Sequence, residues 1–299
     1  MSNTSTCASC GIAEVDEVNL KECTACDLVR YCSDECQKNH KSQHEEACKK
    51  RAAELRDELL FKQPESTNLG DCPICCLPMP LDLSKSCIMM CCSKVVCDGC
   101  HHANWIRVSE GKLVFKCPFC RTPIPSNDEA DNDKQMMRRI EANDPVAMTQ
   151  WGREQYEKGD YSVAFEYFTK AAQLGDVVSH FRLGLMYHLG KGVEKDRGKD
   201  IYHLEKAAIG GHPIARYNLG CEEEESGSIE RAVKHWIIAA TQGHDSSIKA
   251  LIGAFRRGYV SKDDLAAVLR AHQAAVDATK SPQREAAEEY DRDSEQQQC

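Results

Sequence analysis

The chain has 299 residues, a formal net charge of −9 and 19 cysteines, and nowhere a run near the roughly 18 apolar residues that a membrane helix needs. The acidic balance argues against a nucleic-acid binder, because phosphate neutralisation dominates that association. The polar opening Met1-Ser2-Asn3-Thr4 is no apolar leader, so a soluble intracellular protein, cytoplasmic or nuclear, is expected. In that reducing setting clustered cysteines read as metal ligands rather than as a disulfide framework.

Seventeen of the cysteines lie in the first 120 residues, and five C-x2-C pairs stand out: Cys7/Cys10, Cys23/Cys26, Cys72/Cys75, Cys97/Cys100 and Cys117/Cys120. Two sulfurs three positions apart can turn in one knuckle and hold the same tetrahedral zinc. The first block, residues 7 to 48, adds Cys32, Cys36, His44 and Cys48, giving seven Cys and one His, enough for two closed four-coordinate sites. So short a segment buries too little apolar surface to fold alone, and the metal must supply much of its stability.

This block, with its Tyr31-Cys32-Ser33-x-Glu35-Cys36-Gln37-Lys38 run, resembles the MYND zinc finger. The resemblance implies interleaved ligands: Cys7, Cys10, Cys32 and Cys36 on one zinc, Cys23, Cys26, His44 and Cys48 on the other. It also implies a helix carrying Cys36, His44 and Cys48. That helix is expected to continue as a helical linker over 49–70, interrupted at Pro64, with His40 as a surface residue. MYND fingers take short proline-containing peptides, and Gln37 matches a position near that groove. Lys41 stands where many relatives carry a tryptophan, which should weaken peptide docking.

The second block, expected over 71–124, resembles an all-cysteine RING finger: Cys72-Pro73-Ile74-Cys75, then Cys91-Cys92-x4-Cys97-x2-Cys100, then Cys117-Pro118-Phe119-Cys120-Arg121. By that resemblance Cys72, Cys75, Cys97 and Cys100 hold one zinc. Cys117 and Cys120 join Cys92 and either its neighbour Cys91 or the upstream Cys87 on another, with Cys91 favoured. Neighbouring side chains diverge along extended chain and converge only in a turn. Cys76 reads as a bystander packed on the knuckle. A RING ligase forms no covalent intermediate; it positions a ubiquitin-conjugating enzyme and its thioester. The family's contact positions fall here on Ile74, Trp105, Pro118 and Arg121, the last as a hydrogen-bonding clamp.

A capping box, Ser126-x2-Glu129, opens a connecting helix expected over 125–144. Beyond it the composition changes and repeats appear: Ala171-Ala172-x2-Gly175, Ala207-Ala208-x2-Gly211 and Ala239-Ala240-x2-Gly243. Trp151-Gly152, Leu183-Gly184, Leu219-Gly220 and Ile252-Gly253 recur between them, and the second unit carries an extra turn, Gly190 to Asp196. These features resemble about four Sel-1-like repeats over 145–280, paired helices that present a surface to a protein partner. Tyr156, Arg182, Tyr187, Arg216, Tyr217 and Trp236 are possible contacts, though aromatics at helical spacing are mostly core. From 281 to 299 the Glu- and Gln-rich tail is expected to be disordered.

The fold class that follows is multidomain: two small zinc-stabilised cross-brace fingers and an all-α helical-repeat solenoid, with four zinc ions. The leading function is a RING-type ubiquitin ligase or ligase subunit, with a ubiquitin-conjugating enzyme and a protein or peptide as partners. The alternative is a non-catalytic zinc-finger scaffold. A zinc hydrolase is disfavoured, because catalytic zinc keeps an open coordination position and these ligand sets are full.

Overall fold

Ser33 starts the first helix by accepting a hydrogen bond from the Cys36 backbone N–H at 3.2 Å, and Asp34 and Glu35 sit in the electropositive first turn. Helix α1 then runs Asp34–Leu60 without a break. In this computed structural model, which describes residues 6–12, 20–112, 114, 116–123 and 129–296, it is the main element of a first unit, 1–62. A second unit spans 63–299.

In the first unit β1, Lys21–Glu22, pairs antiparallel with β2, Arg30–Tyr31. The interior is thin: Cys7, Leu20, Cys23, Cys26 and Tyr31 are the buried cluster, and three of these five are sulfurs. Among the described residues no helix stripe supplies an apolar core, so cross-linking at the sulfurs would have to. The expected helical linker over 49–70 is helical only to Leu60. Pro64 lacks an N–H and disfavours helical geometry in the residue before it, and the chain turns out at Phe61.

The second unit opens with the second cysteine-rich block. Strands β3, Ser86–Met89, and β4, Lys94–Cys97, form an antiparallel hairpin in the register Ser86 to Cys97 and Met89 to Lys94. Helix α2, Asp98–Ser109, follows directly. The buried cluster here is Cys72, Met79, Met89, Val96, Cys97, Cys100 and Cys117, again with sulfur at its centre. The capping box at Ser126 lies outside the described residues; the helix it was expected to open, α3, spans Glu129–Glu141.

Nine further helices follow among the described residues: α4 Pro145–Glu157, α5 Tyr161–Gln173, α6 Val177–Leu189, α7 Arg197–Ile209, α8 Pro213–Glu225, α9 Ile229–Thr241, α10 Asp245–Arg256, α11 Lys262–Ala278 and α12 Pro282–Gln296. Asp144, Asp160, Asp176 and Asp196 cap α4 to α7 through their carboxylates, each accepting a backbone N–H. Helices pair within repeats because a glycine on one meets a large side chain on the next: Gly152 faces Phe168, and Gly220 faces Trp236. Phe168 and Trp236 are among the most buried residues of the chain. Two repeats are thus closed by aromatic rings seated on glycine, whereas Gly184 meets Asp200 and Leu204, and Trp236 and Arg216 are interior rather than contact residues.

The cysteine-rich block is tied to the helices at several points. Asn68 donates its backbone N–H to the Gly211 carbonyl at 3.0 Å, and Arg139 Nε reaches Ser93 Oγ at 3.3 Å. Gly211 sits at φ +84°, and a side chain there would strike the Ser66 carbonyl at 2.8 Å. The tail from 281 departs from the expected disorder. Residues 282–296 form α12, which packs along α2. The low apolar content that suggested disorder is offset by a few specific contacts, described below.

Candidate metal centres

Four of the five C-x2-C pairs fold into the same local device, while Cys97 and Cys100 sit at the start of α2. A backbone N–H four residues beyond the first cysteine turns back to its carbonyl: Gly11 to Cys7 at 2.9 Å, Asp27 to Cys23 at 3.0 Å, Cys76 to Cys72 at 2.8 Å and Arg121 to Cys117 at 3.0 Å. Gly11, Asp27, Cys76 and Arg121 all take positive φ, which closes the knuckle and aims both sulfurs inward. Cys76 is therefore an exposed turn residue, not one packed on the knuckle.

Four groups of donor atoms result, each with its members within 4.8 Å of one another. Cys7, Cys10, Cys32 and Cys36 form the first; Cys10 Sγ and Cys32 Sγ are 3.6 Å apart, as are Cys32 Sγ and Cys36 Sγ. Cys23, Cys26, His44 and Cys48 form the second, with Cys23 Sγ to Cys48 Sγ at 3.8 Å and Cys26 Sγ to His44 Nε2 at 3.0 Å. In the second block Cys72, Cys75, Cys97 and Cys100 gather, Cys75 Sγ lying 3.7 Å from Cys97 Sγ. Cys91, Cys92, Cys117 and Cys120 make the fourth, with pairs at 3.3 and 4.0 Å. Four sulfurs at about 2.3 Å from a tetrahedral zinc stand about 3.8 Å apart, so the donor type and spacing fit that ion.

Electrostatics within the groups favours a cation. N–H groups of Cys10 and Cys32 hold Cys7 down at about 6. Burial pushes Cys72 up, but N–H groups from Cys97, Cys75 and Ile74 outweigh it and bring it to about 7. The surrounding sulfurs drive Cys32 up to about 12, because thiols this close cannot all ionise together. These residues would hold a dication as thiolate ligands, and that would remove the conflict.

Cys87 lies outside the fourth group; burial raises its thiol, and its sulfur points toward the Ile88 carbonyl at 3.9 Å. The neighbours Cys91 and Cys92 converge because they sit in the tight turn joining β3 and β4. There Cys92 N–H and Ser93 N–H both bond the Met89 carbonyl, at 3.1 and 2.8 Å, and Ser93 has φ +54°. His40 is not the surface residue expected: it is half-buried, with Nδ1 3.2 Å from Tyr31 Oη and its ring against His44. Gln37 and Lys41 are both exposed on α1.

The four residues expected to touch a conjugating enzyme are placed unequally. Ile74 projects from the first knuckle, 40% exposed, and Arg121 follows the last knuckle and is exposed. Pro118 is partly buried. Trp105 is also 40% exposed, yet its ring stacks on His102 and lies 5.3 Å from Tyr290 of α12. Phe119, beside Pro118, is exposed with Lys94 Nζ 5.9 Å from its ring centroid. Two features escaped the sequence. One is Arg284, discussed below. The other joins His188, Asp200 and Glu222 between α6, α7 and α8. Its signal was positional: Asp200 occupies the repeat position that Ala164 and Ala232 fill elsewhere. His188 at 3.1 Å and Arg197 at 2.8 Å already pair those two carboxylates.

Comparison with known proteins agrees with part of this picture. Residues 7–48 match the MYND finger family, and residues 145–176, 177–212 and 213–244 each match the Sel1 repeat. A Sel1 repeat protein from Oxalobacter formigenes is similar at 28% identity over 51% of this chain and 66% of its own, with a TM-score of 0.45. The protein c5321, a protective antigen of uropathogenic Escherichia coli displaying an SLR fold, is 27% identical over 49% of this chain and 33% of its own, with a TM-score of 0.42. The chain spans less than two thirds of either. It thus carries a MYND finger and three Sel1 repeats, both protein-interaction modules, and several Cys/His groups compatible with multiple zinc ions. Among the described residues no helix is long and apolar enough to cross a membrane.

Proposed function

We propose that this MYND-finger and Sel1-repeat protein is a RING-type ubiquitin ligase or ligase subunit, acting inside the cell, with residues 72–120 as the platform for a ubiquitin-conjugating enzyme. The observation that carries the reading is the interleaving in the second block. Cys72 and Cys75 gather with Cys97 and Cys100, while Cys91 and Cys92 gather with Cys117 and Cys120. In this reading each of the four donor groups holds one structural zinc, which cross-braces the loops and supplies no chemistry beyond holding them. All four groups offer four protein donors, a full shell with no position for a hydrolytic water.

The chain's own residues would then do the rest by positioning. Ile74 and the Pro118–Phe119 pair offer apolar surface at the two knuckles, and Arg121 offers a planar fork of donors beside them. Substrate selection falls to the repeats and the first finger. Autoubiquitination across a panel of conjugating enzymes tests the reading. Activity with at least one enzyme, abolished by Ile74→Ala and reduced by Arg121→Ala, is expected; silence across the panel sinks it. A second reading, a non-catalytic scaffold, is favoured by one contact: Tyr290 rests on Trp105, the aromatic that would face the conjugating enzyme. Silence in the panel together with intact capture of a partner by the repeats would establish that scaffold.

A further inference from the structure

Arg284 is a buried charged side chain of the second unit seated against the first cysteine knuckle of the second block. It is 7% exposed, at the start of α12, some two hundred residues downstream of the first knuckle that it touches. Its Nη1 donates to the Pro78 carbonyl at 2.7 Å and to the Thr279 carbonyl at 2.6 Å. Its Nη2 donates to the Leu77 carbonyl at 3.3 Å and to Cys75 Sγ at 3.5 Å, while Nε has no partner. Among the described residues no carboxylate pairs with it. Carbonyl oxygens satisfy N–H groups but do not neutralise a charge, and a buried guanidinium without a counterion is costly.

The neighbouring group of four cysteines would supply the missing charge once filled. One dication with four thiolates carries a net charge of −2, and Cys75 is one of the four. The seat is built from the other side as well. Gly99, inside the Cys97-x2-Cys100 knuckle, lies so close to α12 that a Cβ would stand 2.7 Å from the Arg284 backbone nitrogen. Lys85 Nζ meets Glu288 at 2.7 Å, and Tyr290 lies 4.8 Å from His102 and 5.3 Å from Trp105, ring centre to ring centre.

We propose that Arg284, delivered by α12, is a positioning residue of the Cys72/Cys75/Cys97/Cys100 metal centre: it holds Cys75 and the carbonyls behind the knuckle and balances the charge of the filled site. The C-terminal helix is thereby a working part of the second finger. This inference rests on the four-zinc reading above. Groups outside the ligand set typically shift metal retention about tenfold to a hundredfold.

The test uses the full-length zinc-loaded protein and a chromogenic zinc chelator in excess, with release followed in time. In Arg284→Met and in a chain ending at Ser281, one ion of four should leave about ten times faster or more, with the other three unchanged. Arg284→Lys keeps the charge but loses the fork, and should fall between. With cobalt in place of zinc, the visible d–d bands should shift in Arg284→Met, and hydrogen exchange should rise at residues 72–80. Gly99→Ala, which unseats the helix without touching a ligand, should release the same ion faster. Unchanged release in Arg284→Met, or equal acceleration of all four ions, overturns the proposal. An unmodified chain that binds fewer than four zinc ions removes the metal reading itself, and the inference falls with it.

Discussion

Gly220 and Gly253 occupy the same position in successive repeats, yet alanine should move them in opposite directions. At Gly220 an added Cβ would stand 2.3 Å from Trp236 Nε1 and 2.6 Å from its Cδ1. The indole is 1% exposed, so it has nowhere to retreat without displacing the α8–α9 contact. Overpacking costs about 1–3 kcal/mol and a 2.3 Å approach belongs in the upper half of that range, while the better helix propensity of alanine returns about 1 kcal/mol. Gly220→Ala should therefore destabilise by about 1–2 kcal/mol. At Gly253, within α10, nothing lies within 4 Å, so only the propensity gain of about 0.5–1 kcal/mol remains and Gly253→Ala should stabilise. Gly184, whose nearest neighbours stand at 3.2 and 3.3 Å, should be near neutral, and Gly152, at 2.9 Å from the Phe168 ring, should lie between it and Gly220. The assay is thermal denaturation followed by circular dichroism, where 1 kcal/mol moves the midpoint by about 2–4 °C in a unit of this size. A Gly220→Ala protein as stable as the parent, or a destabilised Gly253→Ala, would refute the ring-on-glycine account of repeat packing.

Three further outcomes follow from individual residues. Burial holds His212 down at about 3, far below an unfolded histidine near 6.5, and it caps α8 as an acceptor for the Ala215 N–H. Its contribution to stability is thus complete above about pH 6.5 and is lost as pH falls toward 3; urea midpoints at pH 7 and pH 5.5 should show a smaller acid loss in His212→Asn than in the parent, and equal slopes would contradict this. Burial opposes ionisation of Asp144, but Ser93 and Arg139 outweigh it and hold its carboxyl below the usual range, so its support of α4 persists above about pH 4 and fades below. Asp144→Asn should lower stability at pH 7 and flatten the acid limb, as read by denaturation across pH 3 to 7. Cys87→Ser should leave the zinc count unchanged whereas Cys91→Ser should lower it by one, as counted by metal analysis.

Much of the ligand pattern was legible because knuckle spacing is a local property. Two sulfurs three residues apart need only one tight turn, and the repeated pairs announce it. The same holds for the repeat glycines Gly152 and Gly220, whose partners Phe168 and Trp236 each lie sixteen residues further along the chain. Three things were not local. The choice between Cys87 and Cys91 depended on the sharpness of the β3–β4 turn, which no residue type dictates there. Asp200 was visible only by aligning the repeats with one another. The seat of α12 was the least legible: its residues are polar and low in hydropathy, and the contact that orders them pairs Arg284 with a knuckle formed by residues 72–78. Composition predicts disorder there because it sums average burial, and one buried guanidinium against a cysteine cluster is not an average.

Native mass spectrometry of the full chain under reducing conditions tests the two cross-braced modules most directly. Four zinc ions per chain are predicted, falling to three in Cys91→Ser and in Cys72→Ser. A parent chain carrying two ions, or a count that either substitution leaves at four, contradicts the account.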